Sequence, residues 1–171
     1  MNNAPAAVDT VIGGWTVSGS LRYTSGAAMQ IEAFNFFASN LGYNVFGAPI
    51  EYANYVGGSP YAKRSGKFDP YKDVYLNSAA FSQPASFTFG NTQEYNSWVR
   101  GFNQGSEALA VAKTIQIHER LKFDIGADFV NPFNIVRWAD PGNLLGGGTF
   151  GKVSATQGNP RQIQIDAKVS F

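Results

Sequence analysis

The sequence predicts an all-β chain of long antiparallel strands, and three observations carry that reading. Residues 162–171 alternate without a fault: Ile163, Ile165, Ala167, Val169 and Phe171 fall on one side, and Gln162, Gln164, Asp166, Lys168 and Ser170 on the other. The same two-residue period returns at 12–24, 107–117 and 121–133. The composition agrees, with 19 Gly and 15% aromatic residues against only 15% charged ones. Soluble domains usually carry ~7% Gly and ~25% charge. Side chains along a strand point to opposite faces in turn, so each segment has one oily and one wet side.

Residues 12–24 place Trp15, Val17, Gly19, Leu21 and Tyr23 on one face and Thr16, Ser18, Ser20, Arg22 and Thr24 on the other. Trp15 and Tyr23 bracket the oily face at its two ends, where an aromatic girdle would meet lipid headgroups. Residues 107–117 put Leu109, Val111 and Ile115 on one side, interrupted by Lys113. After a short polar connection, His118-Glu119-Arg120, residues 121–133 follow, with Leu121, Phe123, Ile125, Ala127 and Phe129 opposed to Lys122, Asp124, Gly126 and Asp128. Two long strands joined by so short a link make an antiparallel hairpin. At about 3.3 Å per residue and a tilt near 45°, a strand of about ten residues rises roughly 24 Å, close to the apolar band of an outer-membrane barrel.

Between these strands lie two long stretches, 25–106 and 134–160, rich in Gly, Asn, Ser, Pro and Tyr with little sustained period. Met29, Ile31 and Ala33 are read as an extension of the first hairpin. Asp140-Pro141-Gly142-Asn143 and Gly146-Gly147-Gly148 are turn signals. Irregular stretches of this length count against a compact soluble domain. They suit extracellular loops opposite one short periplasmic turn.

The expected architecture is therefore an antiparallel transmembrane β-barrel segment of about four long strands with long extracellular loops, incomplete as a barrel on its own. The smallest barrels close with about eight strands. Two open edges are costly in lipid and adhesive in water, so the native unit is expected to supply more strands. The lipid-facing set is Trp15, Val17, Leu21, Tyr23, Leu109, Val111, Phe123, Ile125 and Phe129. The lumen-facing set is Arg22, Lys122, Asp124, Asp128, Asp166 and Lys168.

Other function classes find little support. The net charge is +1 with no basic cluster, which argues against a nucleic-acid partner. Without cysteine there are no disulfides, thiolate metal sites or thiol nucleophiles. Residues 1–10 have neither a basic start nor an apolar core, so no secretory signal peptide is read there. No run approaches the ~18 apolar residues of a membrane helix. Gly146-Gly147-Gly148-Thr149-Phe150-Gly151-Lys152-Val153 comes within one residue of a phosphate-binding loop. Val153 stands where a Mg²⁺-binding Ser or Thr is needed, and the loop reading wins. His118, the one histidine, sits in a turn, and no Gly-x-Ser-x-Gly elbow occurs. Neither an enzyme nor a cofactor is expected. Asp124, Asp128 and Asp166 with Lys122 and Lys168 read as cross-strand charge pairing on a wet wall, in preference to an ion path. The aromatic residues Tyr43, Phe46, Tyr52, Tyr55, Tyr61 and Tyr71 could stack on a sugar or pack the loop against itself, and both readings stand.

A series of short pieces occurs in a recognisable order. They are Gly14-Trp15-Thr16-Val17-Ser18-Gly19, Tyr23-Thr24-Ser25-Gly26, Asp73-Val74-Tyr75-Leu76-Asn77-Ser78-Ala79-Ala80-Phe81, Phe89-Gly90-Asn91, Arg100-Gly101, Phe129-Val130-Asn131-Pro132-Phe133-Asn134 and the tail from Pro160-Arg161 to Phe171. With these, the chain resembles the C-terminal end of TonB-dependent outer-membrane receptors, above all the Oar-like subgroup with a carboxypeptidase-regulatory-like N-terminal domain. Tyr95-Asn96 stands where that family usually has Arg-Asn, and Pro132 replaces a commoner Leu. The resemblance implies the C-terminal barrel portion of a receptor that takes up a bulky substrate across a Gram-negative outer membrane. Its implied partners are the remaining barrel strands, the plug domain, outer-membrane lipid and the outer-membrane assembly machinery. That machinery would read Ile163, Ile165, Ala167, Val169 and Phe171. The alternatives are a soluble β-sandwich that binds carbohydrate, and a small oligomeric barrel used as a porin or adhesin.

Overall fold

A computed structural model describes residues 11–33, 51–86 and 88–171. In chain order the strands are β1 (Trp15–Thr24), β2 (Ala28–Met29), β3 (Glu32–Ala33), β4 (Glu51–Tyr52), β5 (Asn54–Tyr55), β6 (Phe81–Ser82), β7 (Asn96–Arg100), β8 (Gln104–His118), β9 (Leu121–Val130), β10 (Arg137–Trp138), β11 (Leu144–Leu145), β12 (Thr156–Gln157) and β13 (Gln162–Ser170). The chain divides into two compact units. Unit 1 is Met1–Thr24, Gln104–Val136 and Gly158–Phe171, and unit 2 is Ser25–Asn103 and Arg137–Gln157.

Unit 1 contains the four long strands in one sheet of order β1-β8-β9-β13, every neighbour antiparallel. The strands form because their sequences alternate and carry β-branched and aromatic side chains on the oily side. β8 begins at Gln104, three residues before the period is visible in sequence, because Gln104 to Ser106 pair with Thr24 to Arg22 of β1. β9 stops at Val130, short of the expected 133, because Asn131 turns left-handed with φ 50°. The hairpin is also tighter than expected. His118 belongs to β8 and pairs with Leu121 across a register shift after Gln116, so only Glu119 and Arg120 form the turn.

Unit 2 is built from the two stretches read as irregular, and it has a hydrophobic core. Met29, Ile31, Ala33, Ala53, Leu76, Ala80, Phe81, Val99, Leu145 and Phe150 are buried together. Met29, Ile31 and Ala33 therefore serve this core and do not extend a hairpin with β1, whose partner is β8. The core is held by small ladders: β11-β3-β4, β2-β7, β5-β6 and β10-β12. The 3-10 turn Ser78–Ala80 is capped by Asn77, whose side chain accepts from the Ala79 N–H at 3.1 Å. Gly90 has no room for a side chain. A Cβ there would lie 1.7 Å from the Tyr52 carbonyl oxygen.

Candidate functional site

The register of unit 1 sorts its side chains into two faces. Directly opposed residues share a face, so Val17, Val111, Ala127 and Ile165 form one row across all four strands. Gly19, Leu109, Phe129 and Ile163 form the row beside it, and Trp15, Lys113, Ile125 and Ala167 the row on its other side. Ile115, Phe123 and Val169 continue the same face, and Leu21 and Tyr23 lie further along β1. This face is oily and uncovered. Val17, Leu21, Tyr23, Ile163 and Val169 are all exposed, and Ile165 is 73% exposed.

The opposite face is polar. Its rows include Ser18, Ala110, Asp128 and Gln164, then Thr16, Ala112, Gly126 and Asp166. Arg22 pairs with Ser106, Lys122 with Gln116 and Ser170, and Lys168 with Asp124. Asp124 accepts a 2.6 Å hydrogen bond from the Thr114 hydroxyl. Gly126 gives Asp166 its room, since a Cβ there would approach the carboxylate to 2.6 Å.

Two charged residues break the oily face, and both are buried: Glu107, opposite Leu21, and Lys113, opposite Trp15. Lys113 interrupts the alternation of the sequence, and its geometry explains how it is tolerated. The ammonium donates to the carbonyl oxygens of Val11 at 2.9 Å and Gly13 at 3.1 Å and lies 4.7 Å from the centre of the Trp15 ring. The Trp15 indole N–H donates to the same Val11 carbonyl at 3.0 Å. A cation over a ring face and on two carbonyls keeps its polar partners while its stem covers oily surface.

Asn131 fastens the far end of β9. Its amide nitrogen donates to the Ile135 carbonyl at 3.1 Å and the Asn159 carbonyl at 3.0 Å, and its Oδ1 accepts from the Ile135 N–H at 2.9 Å. Asn tolerates the left-handed backbone better than other side chains do. Asn131→Gly keeps that backbone and deletes three hydrogen bonds, for an expected loss of about 1–3 kcal/mol in chemical unfolding. Asn131→Ala should lose more, because Ala must also bear the positive φ. Equal losses would show that the backbone conformation contributes nothing.

In unit 2 the aromatic residues singled out above have different fates. Tyr43 and Phe46 lie outside the described residues. Tyr55 and Tyr61 line an open pocket of about 790 Å³ together with Pro60, Asn91, Gln93, Asn96 and Trp98. Tyr71 lies with Trp138 in a second, smaller depression. Burial and the nearby Glu94 push the Tyr52 hydroxyl upward in pKa. Tyr75, part of the Asp73–Phe81 piece, joins a cluster with Phe102 at 4.4 Å, Tyr61 at 5.3 Å and Phe68 at 6.0 Å between ring centres. Its hydroxyl donates to the Arg100 carbonyl at 3.0 Å.

Burial first, then Tyr61 and Asp140, raise the pKa of Tyr75, against a lowering by Arg64. A raised phenol pKa means that the fold favours the neutral form. The stabilisation is therefore complete below the ordinary phenol value near 10 and falls as pH rises through it. Tyr75→Phe should flatten the alkaline loss of unit 2 stability while costing about 1 kcal/mol at neutral pH. Thermal melts from pH 8 to 11.5 check this.

The remaining chemical candidates resolve simply. Lys152 folds back to donate to the Gly148 carbonyl at 2.9 Å, so the glycine-rich segment holds its own lysine. His118 is exposed at the end of β8.

No curated protein and no solved structure matches the chain. Residues 1–164 match the family described as an outer membrane beta barrel domain. That match spans nearly the whole chain and agrees with the all-β, antiparallel architecture, in which the described strands stop short of a closed barrel. The chain belongs to the outer membrane beta barrel domain family.

Proposed function

We propose that this chain is the C-terminal barrel portion of a TonB-dependent outer-membrane receptor that takes up a bulky substrate. The observation that carries the reading is the exposed oily face shared by four long strands, interrupted at the buried Glu107 and Lys113, and backed by a more polar face. In a soluble sandwich a second sheet would cover such a face; in a barrel, lipid does. Trp15, Val17, Leu21, Tyr23, Leu109, Val111, Phe123, Ile125 and Phe129 then meet lipid. Arg22, Lys122, Asp124, Asp128, Asp166 and Lys168 meet the water-filled interior. β1 and β13 stand at the two edges of the sheet, where the remaining barrel strands would pair; a plug domain would fill the lumen. The β13 edge, with Ile163, Ile165, Ala167, Val169 and Phe171 at alternate positions, is the surface offered to the assembly machinery, which pairs with such edges through backbone hydrogen bonds.

The turn Glu119–Arg120 lies in the periplasm and unit 2 outside the cell, by the loop-length asymmetry of these barrels. Trypsin added to intact cells should cut at the exposed Lys63, Arg64 and Lys67 and spare Arg120. Cleavage at Arg120 with the other three intact would invert the topology. A chain that stays monodisperse in buffer without detergent would instead favour the soluble sandwich. A homo-oligomer in detergent would favour a small porin or adhesin.

A further inference from the structure

We propose that the open pocket of unit 2 binds a neutral carbohydrate, with a pyranose ring stacked on Trp98 and Tyr55. The pocket volume of about 790 Å³ lies within the range of about 300–1,000 Å³ usual for small-ligand sites. The rings of Tyr55 and Trp98 are 4.5 Å apart at 52°. The buried Phe81 backs both, 6.0 Å from Tyr55 and nearly parallel to Trp98 at 6.3 Å. Trp98 remains 42% exposed, so an aromatic face is available to a ligand.

The wall is fixed before any ligand arrives. Asn91 Oδ1 accepts from the Tyr55 N–H at 2.6 Å, its Nδ2 donates to the Tyr55 carbonyl at 3.2 Å, and its own N–H donates to Asn54 Oδ1 at 2.9 Å. The Tyr55 hydroxyl donates to the Gly58 carbonyl at 2.6 Å, and the Tyr61 hydroxyl accepts from the Arg100 N–H at 2.8 Å. Asn96 is committed to the carbonyls of Met29 and Gln93. Among the described residues, this leaves the Gln93 side-chain amide and the Trp98 indole N–H as lining groups free to meet a ligand. A rigid wall of this kind loses little freedom on binding.

The lining chemistry selects the class of ligand. None of the described lining residues is charged, so among them an ionic ligand would find no counter-charge for the water it gives up. A wholly apolar ligand would leave the amide and indole donors unpaired. A pyranose offers both parts, a C–H face for the rings and hydroxyls for the rim.

This inference rests on the receptor reading only for its biological sense; binding itself is tested without reference to the membrane. The intact protein, purified in lauryldimethylamine oxide so that no sugar headgroup competes, is titrated calorimetrically with maltohexaose, cellohexaose, chitohexaose and laminarihexaose. A galacturonate hexamer serves as the charged control. At least one neutral hexamer should bind more tightly than the uronate. Trp98→Ala should weaken that binding about tenfold, the scale of one lost aromatic contact. Trp98→Phe should keep most of it, and Gln93→Ala should weaken it severalfold, with far-ultraviolet dichroism and amide exchange of the unit 2 core unchanged in all three. No binding by any neutral hexamer, tighter binding of the uronate, or binding indifferent to Trp98→Ala would each overturn the proposal. Binding together with protease cleavage at Arg120 on intact cells would keep the sugar site and overturn the orientation instead.

Discussion

Val111→Arg is expected to lower the unfolding free energy in phospholipid vesicles by roughly 2–4 kcal/mol, the penalty for a cation near the midplane on a lipid-facing wall. Val111 stands in the row Val17, Val111, Ala127, Ile165, with Leu109 on one side along β8 and Lys113 on the other. Lys113 is itself a cation, already held by the Val11 and Gly13 carbonyls, so an Arg at 111 gains no anionic partner from its row or from these two neighbours and has lipid in front of it. Ser18→Arg provides the control at nearly the same depth. Its row is Ser18, Ala110, Asp128 and Gln164, so the guanidinium meets water, with an acidic group two strands away in the same row, and the change should be close to neutral. The cost on the oily face should also fall towards the sheet ends, to about 0–1 kcal/mol at Leu21 or Val169. Equal losses at Val111 and Ser18 would remove the assignment of faces; a larger loss at Ser18 would reverse it. If the Val111 penalty appeared undiminished in buffer without lipid or detergent, the oily face would be covered by protein and a sandwich would be the better reading.

The long strands were legible because each faces two different environments, which stamps a period of two onto the residues. That period needs only local information, so Trp15 to Tyr23, Leu121 to Phe129 and Ile163 to Val169 sort into faces from the sequence alone. Pairing needs more. β1 pairs with β8, far along the chain, and nothing local announces that partner. Met29, Ile31 and Ala33 alternate like a strand continuing β1, yet their burial comes from Ala53, Leu76, Val99 and Leu145.

Most of the strands that build the unit 2 core are only two residues long. Two residues cannot display a period, so nothing local in the sequence distinguishes this core from loop. Trp98 carries no sequence signal for a related reason. In β7 only Asn96 and Val99 are buried, three residues apart, and a tryptophan beside them carries no pattern. Lys113 shows the opposite case, a visible flaw in an oily face whose remedy lies in the carbonyls of Val11 and Gly13.

Leu76→Ala is expected to cost about 2–5 kcal/mol in the local stability of unit 2, the range for removing a fully buried leucine side chain. Leu76 is 1% exposed within the core, and its surroundings cannot close over a cavity. On one side Tyr75 donates its N–H to the Gly151 carbonyl at 2.7 Å, and on the other Asn77 donates to the Pro60 carbonyl at 2.8 Å. Gly151 packs so closely that a Cβ there would come within 2.9 Å of the Leu76 backbone. A site pinned on both sides collapses poorly after truncation, which favours the upper part of the range. Amide hydrogen exchange reads the effect residue by residue. Protection should drop at Ala53, Tyr75 and Asn77, whose N–H groups are bonded to Ile31, Gly151 and Pro60. The long ladder of β8 with β9 provides the internal reference. Tyr71→Ala, at a ring 91% exposed, should change little, as surface substitutions usually stay within about 0.5 kcal/mol. If Leu76→Ala were as mild as Tyr71→Ala, residues 25–106 would be an extended loop after all, and the preformed wall behind Trp98 would lose its support.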